Sequence, residues 1–244
     1  MRYQFVDCRW ELGKPERGRE LYVAGHIPGA SFLDVERELS APPGDGGRHP
    51  LPAGADFAAA ASRAGIESGI FVVAYDQGMT GGAARLWWLL RHFGHEDVAV
   101  LDGGIAAWKG PLRRGEEDVE PGRFQPRPRA GDTIGADELL ARGGDPRLLI
   151  LDARAPERYR GEIEPIDPTP GHIPGARNLP YTDAATVPQE ILAAEEIAVY
   201  CGSGVTACVD VLALAAAGRP DARLYAGSWS EWCRRGLPAE LGES

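Results

Sequence analysis

The feature that most restricts the fold of this 244-residue chain is an internal repeat. "FVDCRW" (5–10) is echoed by "ILDARA" (150–155), and "AGHIPGASF" (24–32) by "PGHIPGARN" (170–178). "FVVAYDQG" (71–78) is echoed by "IAVYCGSG" (197–204), and "VLDGGIAAW" (100–108) by "LYAGSWSEW" (224–232). Four echoes in one order predict two copies of a unit of about 110 residues, each long enough to bury a core of its own. Between them, "PLRRGEEDVEPGRFQPRPRAG" (111–131) is rich in Pro, Gly and charge, which suits a connection better than a packed element. The expected layout is a first domain at 1–112, a linker at 113–131 and a second domain at 132–244. The arginines at 113, 114, 123, 127 and 129 then form a solvated run on that linker.

Within each copy, short apolar runs alternate with helical patterns. Strands are expected at 69–76 and 97–104 in the first copy, and at 147–154, 196–201 and 222–227 in the second. Helices are expected at 81–94 and 204–218. Strands alternating with helices predict an α/β fold, each copy a parallel sheet with helices on both faces. In such sheets binding sites lie outside the carboxyl ends of the strands.

One residue stands at such an end with unusual neighbours. In "AVYCGSGVTACVD" (198–210), Cys201 follows an apolar run and precedes Gly202, Ser203, Gly204, Val205 and Thr206. A cysteine reacts as its thiolate, and N–H groups gathered at a helix start favour that anion. Glycines let the loop curl its N–H groups inward as an anion-binding nest, and Ser203 and Thr206 add hydroxyl donors. Cys201 is therefore the candidate nucleophile. Cys208 lies within the apolar helix pattern, and Cys8 and Cys233 are read as structural thiols. None of the four forms a C-x-x-C pair, so no zinc or thioredoxin-like motif is present. Where the second copy has Cys201, the first has Asp76, so the second is the catalytic half and the first is expected to wall the cleft between them. His26 and His172 recur once per copy in "GHIPGA" and are read as loop-fixing residues, not metal ligands. Trp87 and Trp88 fit a helical core, while Trp229 and Trp232 fit either core or cleft lining.

"DAR", "GHIPGA", "YCGSGVTAC" and "GSWSEW", in this order, resemble the tandem-domain rhodanese family of sulfurtransferases over nearly the whole chain. The loop "CGSGVT" is similar to the 3-mercaptopyruvate sulfurtransferase branch. The thiosulfate branch typically carries Arg and Lys where this chain has Gly202 and Ser203, and a cationic loop suits a dianion. The resemblance implies two tandem rhodanese-like domains, only the second with the catalytic cysteine. It also implies a ping-pong reaction in which Cys201 takes a sulfur, becomes a persulfide and passes the sulfur on. A proton relay follows by the same route: Ser203, His49 in "GGRHPLP", and Glu36 in "FLDVERE", with Asp34 as the rival acid. Arg158 in "RAPERYRGE" matches the family's first carboxylate-binding arginine, with Gly202, Gly204, Val205 and Thr206 forming the rest of the donor-binding loop. Nine residues on, where a second arginine often follows, stands Asp167; Arg48 and Arg160 are the two candidates to replace it.

The implied partners are a small-molecule sulfur donor and an acceptor such as thioredoxin, glutathione or cyanide, with no cofactor and no metal. The alternatives are thiosulfate as the donor, or a non-catalytic rhodanese-like binding module. A cysteine phosphatase needs arginine six positions after the cysteine; that position is Ala207. A net charge of −10 gives no basic footprint for nucleic acid. No apolar stretch approaches the about 20 residues of a membrane helix, and "MRYQFVDCRWELGKPERG" lacks the apolar core of an export signal. A cytoplasmic enzyme with reduced thiols is the expectation.

Overall fold

The computed structural model describes residues 2–243. The chain forms two compact units, one built from residues up to 41 together with 51–129, the other from 42–50 together with residues from 130 onward. The first unit contains β1 (Arg2–Asp7), α1 (Arg17–Ala24), β2 (Ser31–Phe32), α2 (Gly54–Arg63), β3 (Ile70–Tyr75), α3 (Gly82–His92) and β4 (Val98–Val100). The second contains α4 (Ala136–Ala141), β5 (Leu148–Asp152), α5 (Pro156–Tyr159), β6 (Arg177–Asn178), α6 (Gln189–Leu192), β7 (Glu196–Tyr200), α7 (Ala207–Ala216), β8 (Arg223–Leu224) and α8 (Ser228–Arg234).

Each unit holds one four-stranded sheet, ordered β2-β1-β3-β4 in the first and β6-β5-β7-β8 in the second. Every strand pair in both is parallel. The central strands read as unbroken apolar runs, "IFVVAY" in β3 and "EIAVY" in β7, because strands of a helix-covered parallel sheet are buried on both faces. The expected α/β fold and its tandem arrangement are therefore present. The outer strands are shorter than expected. β4 ends at Val100, since Gly103 and Gly104 take positive φ (71° and 58°) and turn the chain into a 3₁₀ helix. α7 begins at Ala207, not at 204, because Gly204 also takes a positive φ (80°) that no helix accepts.

The repeat is legible at atomic detail. Asp7 pairs with Tyr75 across one sheet, and Asp152 with Tyr200 across the other. The Tyr75 hydroxyl accepts from the Ile27 amide, and the Tyr200 hydroxyl from the Ile173 amide. Asp7 and Arg9 form a buried ion pair at 2.6 Å, repeated by Asp152 and Arg154 at 2.6 Å. Arg9 also donates to the carbonyl of Gly25, and Arg154 to that of Gly171, so each pair ties a strand end to the loop before "HIPGA". Removing either partner would leave a buried charge uncompensated, at about 3–5 kcal/mol. His26 stacks on Tyr22 with centroids 4.1 Å apart, and its Nδ1 is 2.8 Å from the Tyr22 carbonyl. His172 stacks on Tyr159 at 3.9 Å with the same 2.8 Å contact. Both histidines thus fix loops within their own units. Trp87 and Trp88 are buried in α3, and Trp229 and Trp232 belong to the core of the second unit.

Candidate active site

β7 ends at Tyr200 because the next residues abandon extended geometry to wrap around the Cys201 sulfur. The Gly204 N–H donates to Cys201 Sγ at 3.1 Å. That turn needs glycine at 204: a Cβ there would sit 2.3 Å from the Ala226 carbonyl oxygen. The loop is braced from α8. Trp229 and Ser230 amides donate to the carbonyls of Cys201 and Gly202 at 3.0 and 2.9 Å. Ser228 Oγ accepts from the Cys201 amide at 3.1 Å and donates to the Tyr225 carbonyl at 2.8 Å. Ser228 is held at a φ of 54° to make these bonds, an unusual value for a non-glycine residue. Cys201 is only 2% exposed.

The first unit supplies a comparison. At the residue after Tyr75, Asp76 accepts from the amides of Gly78 (2.8 Å) and Ala83 (3.3 Å). The same strand-end loop there closes its N–H groups around the chain's own carboxylate. In the second unit the group in the cradle is a sulfur. Equivalent strand-end loops thus turn backbone N–H groups toward a carboxylate in one copy and toward a thiol in the other.

His49 reaches the thiol loop because residues 42–50 belong to the second unit. Gly44 and Gly47 exchange backbone hydrogen bonds of 3.0 Å, making a tight hairpin. Gly47, at φ 99°, lies so close to the Gly227 carbonyl that a Cβ would be 2.7 Å from it. The Arg48 amide donates to Ser230 Oγ at 3.0 Å. With the two residues before it fixed, His49 Nδ1 lies 2.7 Å from Ser203 Oγ, in a pair 154 residues apart in sequence. Both side chains are buried.

Arg158 sits on α5, started by Pro156 at its first turn. Its guanidinium binds Glu164 through Nε and Nη2 (3.2 and 2.7 Å) and reaches Asp167 at 3.3 Å. Asp167 also takes two bonds from Arg48, at 2.8 and 3.3 Å. Arg160 turns elsewhere, to Glu162 and Glu243. Val205 is buried beneath the loop, and its carbonyl accepts from the Cys208 amide. Thr206 stands at the N-cap of α7 and makes no side-chain cap there. Glu36 lies in the first unit, half-buried, and burial together with the nearby Asp34 carboxylate raises its pKa. Asp34 itself accepts from the amides of Glu36 and Arg37, so its carboxylate is engaged in the local turn.

The other cysteines have structural surroundings. Burial pushes the Cys8 thiol well up, and that of Cys233 to about 11. Cys208 Sγ donates to the Gly204 carbonyl at 3.4 Å. Among the described residues no group of three or more His, Cys, Asp or Glu is placed to hold a metal ion, and no helix is long and apolar enough to cross a membrane.

Two residues escaped sequence reasoning. Asp167 reads as a gap where an arginine was expected, yet it bridges two arginines. Asp210 is the one charge within the apolar pattern of α7, fully buried with neither carboxylate oxygen hydrogen-bonded. Burial pushes its carboxyl well above the usual range, with negative charge at Cys201 and Asp152 adding to the effect. The native state thus keeps this proton after the unfolded chain has lost it. The resulting stability is complete below the unfolded pKa and is lost as pH rises toward the folded one. Asp210→Asn, neutral at every pH, is expected to raise the melting temperature by about 2–6 °C at pH 8 and by almost nothing near pH 4. Melting curves at the two pH values check this; a gain equal at both would show that ionisation is not the cause.

A family profile described as "Rhodanese-like domain" matches residues 1–111 and 135–235. A probable 3-mercaptopyruvate sulfurtransferase of Pseudomonas aeruginosa is 48% identical over 249 residues, covering 93% of this chain and 88% of the relative. A putative thiosulfate sulfurtransferase of Mycobacterium tuberculosis is 41% identical over 252 residues, covering 93% and 86%. Among solved structures, a crystal structure from Escherichia coli, described in terms of the rhodanese fold and catalytic mechanism of 3-mercaptopyruvate sulfotransferases, superposes with a TM-score of 0.79. It is 34% identical and covers 93% of each chain.

Proposed function

The chain belongs to the rhodanese family and is a sulfurtransferase, and from that premise we propose that it moves the sulfur of 3-mercaptopyruvate, as the sulfane sulfur of a Cys201 persulfide, to a thiol or cyanide, releasing pyruvate. The observation that carries the choice of donor is the buried Ser203–His49 pair at 2.7 Å, beside a thiol whose loop has no cationic side chain of its own at 202 or 203. A relay of this kind serves a leaving group that must be protonated at carbon. Thiosulfate releases sulfite, which has no such need.

The step balances as follows. Cys201 gives its proton to the Ser203–His49 pair and attacks the donor sulfur as thiolate. The S–S bond forms as the C–S bond breaks, and the electron pair of the broken bond leaves on carbon as the enolate of pyruvate. The relay returns its proton to that carbon. The Gly204 N–H, already on Sγ, stabilises the anion without reorganisation. Glu36 is the acid of the relay in this reading, with Asp34 as its rival. Arg158, Gly202, Val205 and Thr206 contribute to the donor-binding side. In this reading the domain without a nucleophile runs over 1–112, the connection over 113–131 and the thiol-bearing domain over 132–244, with the 42–50 segment of the first stretch packing in the second unit. The acceptor is a thiol such as thioredoxin or glutathione, or cyanide. A reducing cytoplasmic setting fits four free cysteines.

The test is intact mass after brief incubation with 3-mercaptopyruvate or with thiosulfate, followed by cyanide. A gain of one sulfur from mercaptopyruvate, removed by cyanide, is expected. The same gain from thiosulfate alone would transfer the reading to that donor, and no gain from either would leave a binding module. Ser203→Ala and His49→Ala are each expected to lower turnover with mercaptopyruvate by about 10²–10⁴-fold, the usual worth of proton transfer. Any turnover with thiosulfate should be nearly unaffected. Steady-state assays with both donors decide; an equal fall with each would remove the relay.

A further inference from the structure

The first unit holds a cavity of about 530 Å³ that sulfur transfer does not use, within the range of small-molecule sites. Its walls are the turn at 67–69 before β3, the turn at 93–97 between α3 and β4, and the connection at 123–127. It lies at the amino ends of β3 and β4, whereas Asp76 follows the carboxyl end of β3. The connection, which its composition marks as loose, is strapped down here. The Gly122 amide donates to the Ser62 carbonyl at 2.8 Å and the Phe124 amide to Ser62 Oγ at 3.0 Å. The Arg127 amide donates to the Phe93 carbonyl at 2.9 Å and the Arg129 amide to the His92 carbonyl at 2.7 Å. Phe57 stacks on Phe93 and meets Phe124 edge-on, with centroids 5.0 and 5.5 Å apart, so two buried aromatic rings of the lining are fixed in place. The charges around the cavity are unequally spent. Glu67 is paired with Arg2, and Glu96 with Arg91 and Arg129. Arg123 and Arg127 line the cavity, and among the described residues neither guanidinium makes a hydrogen bond or ion pair. Asp97 is the one lining acid left unpaired against them. His95, 8% exposed, also lines the cavity, and its buried Nε2 has no hydrogen-bond partner. An unmatched buried polar atom costs about 1–3 kcal/mol and calls for an explanation.

We propose that this cavity is a binding site for a small organic oxyanion, an apolar, ring-bearing body with a carboxylate or phosphate head, held by Arg123 and Arg127 at the head and by Phe93 and Phe124 along the body. His95, whose ring centroid is 6.1 Å from that of Phe124, supplies the hydrogen bond that its Nε2 now lacks. Two guanidinium groups on one short strap repel each other, and an oxyanion with two or three oxygens accepts from both. Spare cations select an anion even in a chain of net charge −10. The aromatic rings favour an organic body over a bare inorganic ion. The backbone that carries both arginines is already bonded to the unit, so binding has less chain to order. The site is independent of the choice of sulfur donor, since none of its residues belongs to the thiol loop or to the 42–50 hairpin.

The experiment titrates the full-length protein by calorimetry with phenyl phosphate, benzoate, benzyl alcohol and inorganic phosphate. The variants are Arg123→Ala and Arg127→Ala, with Arg114→Ala and Arg158→Ala as controls. Arg123 and Arg127 have exposed side chains without partners, so both variants should fold as the wild type does. Phenyl phosphate or benzoate is expected to bind once per chain with a Kd of about 1 mM or below, and the tighter of the two identifies the head group. Benzyl alcohol and inorganic phosphate each lack one half of the ligand and should bind at least about 10-fold more weakly. Arg123→Ala and Arg127→Ala should each weaken binding by about 10-fold, the worth of a lost charged hydrogen bond. Arg114, on the same basic run but outside the cavity, should be replaceable without effect. The His95 imidazole resonances, assigned with His95→Gln, should shift as the ligand binds. Three results would overturn the proposal. One is no binding of either aromatic anion up to about 10 mM. Another is binding that Arg123→Ala and Arg127→Ala leave at the wild-type value. The third is binding lost with Arg158→Ala alone, which would put the anion at the thiol loop.

Discussion

Cys201→Ser is expected to abolish sulfur transfer, lowering turnover by at least about four orders of magnitude, as loss of a covalent nucleophile does elsewhere. The fold should survive. The serine oxygen can accept the Gly204 N–H that now reaches Sγ at 3.1 Å, and the bonds that the backbone of Cys201 and Gly202 makes with Ser228 Oγ and with the Trp229 and Ser230 amides do not involve the Cys201 side chain. A hydroxyl cannot become a persulfide, so the variant should show no sulfur gain by intact mass with any donor, with a melting temperature close to that of the wild type. The competing assignment is specific. Cys208 lies seven residues on, in the first turn of α7, with its sulfur 3.4 Å from the Gly204 carbonyl. A Cys201→Ser protein that still gained cyanide-labile sulfur would move the chemistry there, and the roles given to Ser203 and His49 would have to be rebuilt around it.

Gly204→Ala should be the most damaging change that removes no reactive group. At φ 80° an alanine is strained by about 1–2 kcal/mol, and its Cβ would meet the Ala226 carbonyl oxygen at 2.3 Å, which neither backbone can yield without moving. The loop must open, and the Gly204 N–H then leaves the sulfur. Loss of one such donor to a developing charge costs about 10²–10³ in rate. A fall in kcat/KM of at least that size is expected, with a lowered melting temperature. Gly202→Ala is the control two residues away. Its Cβ meets only the guanidinium ends of Arg48 and Arg158 at 3.3 to 3.7 Å, and side-chain ends can shift. It should fold like the wild type and raise KM. If the two alanines behave alike, the cradle around Sγ is not what the loop provides.

Much of this is legible in the sequence. Continuous apolar runs mark the central strands of both sheets, since burial on two faces leaves no alternation to find. The repeat fixed the pairing of Asp76 with Cys201, and the sheet register places both one residue after equivalent tyrosines. Strand ends were less legible: β4 and β8 stop early where glycines and turns take over, and a turn leaves no periodic signature.

What the sequence determined by itself is local: two parallel α/β units, a thiol at the end of β7, and a glycine loop able to curl around it. Apolar periodicity and positive-φ glycines act over a few residues, so a few residues reveal them. What only the tertiary structure decided is which distant groups meet. Residues 42–50 have no regular pattern, yet they pack with the second unit and bring His49 to Ser203 and Arg48 to Asp167. The same holds for Asp167, whose charge looks wrong until two guanidinium groups are found on it, and for Asp210, whose isolation appears only once the helix is packed. The contacts of the 42–50 hairpin join segments more than a hundred residues apart through packing and ion pairing. Their energy depends on final distances, and no short stretch of sequence carries those.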